Sequence, residues 1–123
     1  MRNRVRSGCG LLAAAAGLIA LAGCTGVEDW SPASVAETQL RGDRIAAALN
    51  NYRQDEGEYP TSLDALVPTY LSEVPPPTAG NGLWGYESYD RNSRFRLWFE
   101  GTAEDTPVYI YDSTTKKWAA GAP

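Results

Sequence analysis

A chain of 123 residues with 15 acids, 11 cations, a net charge of −4 and no histidine has room for one small domain, since single domains commonly run to about 100–150 residues. That size excludes a two-lobed enzyme with its cleft between domains, and the missing imidazole removes the usual general base near neutral pH and the commonest metal ligand. The acid excess argues against nucleic-acid binding, which needs clustered Lys and Arg to meet the phosphate backbone.

The first segment carries its charge at one end. Arg2, Arg4 and Arg6 precede an Ala- and Leu-rich stretch from Leu11 to Leu21 bounded by small residues, the three-part plan of a secretory signal peptide. The stretch closes in Leu21-Ala22-Gly23-Cys24, which resembles the lipobox of bacterial lipoproteins. The resemblance implies cleavage between Gly23 and Cys24, a diacylglycerol thioether on the Cys24 sulfur and a fatty acyl group such as palmitate on its new amino group. Residues 1–23 are then a discarded signal peptide and 24–33 a lipidated tether on a membrane, held firmly because two acyl chains already suffice for stable anchoring. The alternative is an uncleaved anchor over Gly8–Gly23, but that stretch, interrupted by glycines, falls short of the about 20 apolar residues a span requires. Cleavage leaves 8 of the 11 cations against 15 acids, a net charge of −7, and all 13 aromatic residues lie in what remains. With Cys9 discarded and Cys24 acylated, no thiol is left for a disulfide or a metal site. Thr25 stands where an Asp would retain an enteric-type lipoprotein at the inner membrane, so the resemblance implies the outer membrane, facing the periplasm.

Residues 34–123 are expected to form the domain. Ser34-Val35-Ala36-Glu37 fits a capping box, and Thr38, Gly42, Ile45, Ala48, Leu49 and Tyr52 recur at helical spacing on one narrow stripe, so a helix is predicted over 34–56. Gly57 and Pro60 end it. Thr61 to Val67 reads as a second short helix capped by Thr61 and stopped by Pro68. Pro75-Pro76-Pro77 and Gly80-Asn81-Gly82 have no periodicity and mark a loop. Trp84 to Tyr89 and Arg94 to Glu100 read as strands around the turn Asp90-Arg91-Asn92-Ser93. Alternation in the second run puts Phe95, Leu97 and Phe99 on the face toward the helix and Trp98 on the other. Pro107 to Asp112 is a third run, and Lys117-Trp118-Ala119 a short fourth. The class is α+β: one long helix laid on a three- to four-stranded antiparallel sheet.

The run Ala48-Leu49-Asn50-Asn51-Tyr52-Arg53-Gln54-Asp55-Glu56-Gly57-Glu58-Tyr59-Pro60, followed by Leu63, Tyr70-Leu71, Val74-Pro75 and Trp84-Gly85-Tyr86 in that order, resembles the soluble domain of type II secretion major pseudopilins and related type IV pilin-like proteins. The likeness covers about residues 40–100 and implies a pilin-like roll. The same residues have a sufficient local reading: Gly57 permits a left-handed turn, and Tyr59 and Pro60 fold the chain back. The chain departs from those families at its start. It lacks the apolar helix that builds their filaments and continues, after the cut and the acylated Cys24, with Thr25-Gly26-Val27-Glu28-Asp29. The combination implies a pilin-like domain on a lipid anchor, able to dock on secretion or pilus machinery without polymerising.

The resemblance also implies a calcium loop after the second strand, and Glu100, Glu104 and Asp105 stand there. Calcium wants six to eight oxygens, and an acidic loop without the family's paired glycines is more simply solvated, so no cofactor is expected. Carboxylate pairs such as Asp55 with Glu58 could in principle serve a glycosidase but are more simply a polar helix end, and no nucleophile elbow, phosphate loop or zinc helix appears. The expectation is a non-enzymatic envelope protein whose partners are membrane lipid and secretion or pilus proteins, with no nucleic acid. Trp98 is the candidate contact residue. The alternative expectation is a periplasmic lipoprotein whose sheet face takes a carbohydrate or other small ligand.

Overall fold

The computed structural model describes residues 28–121. The signal peptide 1–23, the cleavage site Gly23-Cys24 and the lipidated Cys24 lie outside the described residues. The architecture is α+β: helix α1 (Pro32–Glu56) packs on a four-stranded antiparallel sheet of β1 (Gly85–Tyr89), β2 (Arg94–Glu100), β3 (Val108–Asp112) and β4 (Lys117–Ala120), in that spatial order. Among the described residues no helix is long and apolar enough to cross a membrane.

Helix α1 starts earlier than the capping box predicts. Ser31 is its N-cap, accepting from the Ser34 N–H at 3.2 Å, with Pro32 in the first turn, where a proline lacks nothing because that N–H would be orphaned anyway. The box residues are used otherwise: Ser34 is buried and its hydroxyl donates to Thr78, while Glu37 pairs with Arg41 at 2.9 Å. The far end follows the sequence, with Gly57 left-handed at φ 89° and its N–H on Arg53 O. The predicted stripe is the buried one: Thr38, Gly42, Ile45, Ala48 and Leu49 face the sheet, joined by Ala46. Gly42 is there because Trp118 crosses it, and a Cβ would sit 2.4 Å from the indole.

The second helix is one turn of 3-10 helix, Leu63–Leu66, and Thr61 does not cap it; Ser62 holds the cap position without a side-chain bond. It buries Leu66 and brings Leu63 against the core. The proline-rich loop is ordered by helix side chains. The Thr38 hydroxyl, fully buried, donates to Ser34 O at 2.8 Å and accepts from the N–H groups of Thr78 and Ala79 at 3.0 and 2.9 Å. Arg41 donates to Pro76 O, and the Trp84 indole N–H to Pro75 O. Four loop amides and carbonyls that periodicity could not place thus find partners, as backbone groups withdrawn from water must.

The sheet supplies the aromatic half of the core. Phe95, Leu97 and Phe99 of β2 are fully buried. Phe95 lies between Tyr59, Tyr86 and Tyr111, while Phe99 is stacked on Tyr109 at 5.2 Å and met edge-on by Trp84 and Trp118. Each such ring or branched side chain contributes about 1.5–3 kcal/mol on full burial. The stretch expected as tether is already docked from Glu28 onward. Its carboxylate accepts from the Thr102 backbone N–H at 2.8 Å and from the Thr102 hydroxyl, and Trp30 stacks on Phe99 at 6.2 Å. Residues 28–31 are therefore a strap across one end of the sheet.

Candidate functional site

The outer face of the sheet is set by the same alternation that fills the core. Because β2 buries Phe95, Leu97 and Phe99, it must turn Arg94, Arg96, Trp98 and Glu100 outward. Cross-strand register then arranges two rows. Gly85, Trp98, Ile110 and Ala119 stand side by side across the four strands, and Glu87, Arg96, Asp112 and Lys117 form the row beside them.

In the apolar row the Trp98 indole lies flat over Gly85, where a Cβ would come within 2.1 Å of the ring. Only glycine leaves the β1 backbone low enough for the indole to lie down. The indole N–H donates to Glu100 at 3.2 Å, and the ring is half-buried. The charged row is a network: Arg96 reaches Glu87 at 2.8 Å and Asp112 at 3.2 Å and stacks over the Tyr89 ring at 4.5 Å, while the Tyr89 hydroxyl donates to Asp112. Asp112, which partial burial alone would push up, is held below the usual carboxylate range by hydrogen bonds from Thr114, Tyr89 and Arg96. An aromatic anchor with an apolar neighbour, edged by hydrogen-bonded charges, has the composition of a contact surface, with an apolar centre and a polar rim.

Trp98 thus stands on the face the sequence assigned to it. Gly85, Ile110 and Ala119, which complete its row, were not singled out beforehand. For Gly85 the signal existed, because a four-residue turn at 90–93 pairs Tyr89 with Arg94 and, by counting back, Gly85 with Trp98. Ile110 depends on register across the longer loop 101–107, which carries no such count.

The other candidates are not brought together. Glu100 is turned to the Trp98 indole, Glu104 and Asp105 are exposed, and among the described residues no group of three or more His, Cys, Asp or Glu is gathered to hold a metal ion. The loop's amide at Thr102 is instead met by the Glu28 carboxylate, which that hydroxyl and amide hold below its ordinary range. Asp55 accepts the Tyr70 hydroxyl at 2.6 Å, and Glu58 is exposed past the helix end.

Among the described residues, two further hollows bear on binding. One, of about 350 Å3, has Leu63, Val74, Trp84 and Tyr86 as apolar walls with Asp64 and Ser62 at its rim. The polar tips of Trp84 and Tyr86 are committed to the carbonyls of Pro75 and Pro60, so they present ring surface. The other, of about 440 Å3, lies between the C-terminal part of α1 and two sheet turns and is polar, with Arg53, Arg94 and Lys116 on its wall. No protein-family model, curated protein or solved structure matches this chain.

Proposed function

We propose that this chain is a lipid-anchored, non-enzymatic envelope protein. After removal of residues 1–23 it would be held by acylated Cys24 on the periplasmic face of the outer membrane, where its pilin-like domain docks on type II secretion or type IV pilus-type machinery. The observation that carries the docking role is the apolar row on the outer face of the sheet, with Trp98 seated on Gly85 and a charged network at its side. The helix-on-meander order supports reading the domain as pilin-like, and the lipobox-like Leu21-Ala22-Gly23-Cys24 supports the anchor. Lipid on Cys24 takes the place of the filament-building helix, so the domain binds the machine without polymerising.

Two experiments test this. Labelling with a fatty-acid probe in cells is expected to mark the wild-type chain and not Cys24→Ala; equal labelling would end the anchor reading. A photo-crosslinking residue at Ile110, in the full chain in its own host, is expected to trap a secretion or pilus component. Trp98→Ala should abolish the adduct, and so should Gly85→Ala, whose new methyl displaces the indole without removing it. Adducts that persist in both variants would place the contact elsewhere.

A second reading, a carbohydrate-binding lipoprotein, is favoured by the hollow at Trp84 and Tyr86, whose ring faces with Asp64 and Ser62 suit a neutral sugar. Glycan binding lost in Trp84→Ala but kept in Trp98→Ala is the result that reading requires.

A further inference from the structure

The polar hollow has an electrostatic character opposite to that of the molecule. In a domain with net charge −7 after loss of the first 23 residues, Arg53, Arg94 and Lys116 converge on one cavity of about 440 Å3 whose wall holds no carboxylate. Arg94 has a partner in Asp90 at 3.5 Å. Among the described residues Arg53 and Lys116 make no ion pair, and Arg53 is kept in place by stacking over the Tyr59 ring at 5.2 Å. Of the neutral groups on the wall, Ser93 and Thr114 spend their hydroxyl protons on Asp90 O and Asp112 Oδ1, which leaves Asn50 and Ser113 to donate. Tyr59, buried, gives its hydroxyl to Asn50 Oδ1 at 2.9 Å, which leaves the Asn50 amide hydrogens free for the cavity. Ser113 Oγ accepts the Phe95 N–H at 2.9 Å and keeps its own proton to donate.

We propose that this cavity binds a phosphate monoester carried on a small polyhydroxy body, that is, a sugar phosphate. Two arginine forks and a lysine match the double charge of a phosphomonoester, since guanidinium groups pair bidentately with phosphate oxygens. The volume lies within the about 300–1,000 Å3 of small-molecule sites, which leaves space for the sugar beside Asn50 and Ser113. The position favours a soluble ligand. Asn50 and Arg53 are carried about 30 Å along α1 from Pro32, while the strap at Glu28 and Trp30 is tied to the opposite end of the sheet at Thr102 and Phe99. A membrane reached through the N-terminus lies on the far side of the domain.

The test is calorimetric titration of the full chain in detergent with glucose 6-phosphate, glucose and inorganic phosphate, and sedimentation with phosphatidylglycerol vesicles. Saturable binding of glucose 6-phosphate is expected, weakened by salt, with none of glucose and weaker binding of inorganic phosphate. Arg53→Gln and Lys116→Asn, the latter chosen because asparagine tolerates the left-handed backbone at φ 58°, should each weaken it about tenfold. Arg91→Gln removes a cation of the turn 90–93 that is not itself on the cavity wall and should bind like the wild type. The assignment is overturned by equal binding of glucose and its phosphate, by inorganic phosphate matching the sugar phosphate, or by binding to vesicles alone. It is overturned equally if the cavity variants bind unchanged, or if Arg91→Gln weakens as much as they do, which would mean diffuse charge.

Discussion

Thr38 shows how much one side chain decides. On the helix it occupies a stripe position that an alanine or valine would fill as well, yet its hydroxyl joins α1 to the loop through Thr78 N and Ala79 N. Thr38→Val keeps the shape and removes the acceptor, leaving those two amides short of a partner, so a loss of about 2 kcal/mol or more is expected in urea melts. Thr38→Ser keeps the oxygen and should cost clearly less. A Val variant as stable as Ser would mean that water replaces the hydroxyl. The stripe itself was legible from spacing; that one member is a junction was not, because the loop it serves lies forty residues away in sequence.

At the scale of elements, local rules located ends and turns unevenly. The box motif pointed to Ser34 as the start of α1, whereas the structure places the cap at Ser31. Ser31 prevails because Pro32 is already preset for a first turn, Asp29 holds the Ser31 N–H at 2.9 Å, and burial against Thr78 uses the Ser34 hydroxyl elsewhere. Ser31→Ala is therefore expected to cost about 1 kcal/mol of stability as a lost N-cap, measurable by thermal or chemical denaturation. If Ser31→Ala is silent, the cap lies elsewhere. The turn at 90–93 was read correctly as four residues, and the structure adds that Asp90, Arg91 and Asn92 are all left-handed, with Asn92 O accepting the Tyr59 N–H. That bond ties the helix exit to the first hairpin, a long-range contact that no turn rule contains.

For the whole molecule the acid–base behaviour follows from composition and from a few bonds. Glu28, through the Thr102 hydroxyl, and Asp29, through the Ser31 N–H, are held below their ordinary values, as is Asp112. A carboxyl depressed on folding adds stability that is complete above its unfolded value, near 4, and is lost as pH falls through the folded one. Tyr70 is pushed up to about 12 by its bond to Asp55, and burial raises Tyr86. A raised phenol adds stability that is complete below about 10 and lost as pH rises beyond it. With no histidine in the chain, denaturation midpoints should form a plateau from about pH 5 to 9 and fall on both sides. A step between pH 6 and 8 would show a coupled group that these bonds do not explain.

The sequence by itself determined the α+β class, the helix with its buried stripe, the strands, and the side of the sheet on which Trp98 stands, because these follow from periods of 3.6 and 2 and from turn chemistry within a few residues. Tertiary structure alone decided which serine caps α1, how Glu28 and Trp30 strap the sheet, which register sets Ile110 beside Trp98, and how Arg53, Arg94 and Lys116 come to share one cavity. Each of those is a meeting of residues distant in the chain, chosen by burial and by the need to satisfy polar groups that no local pattern records.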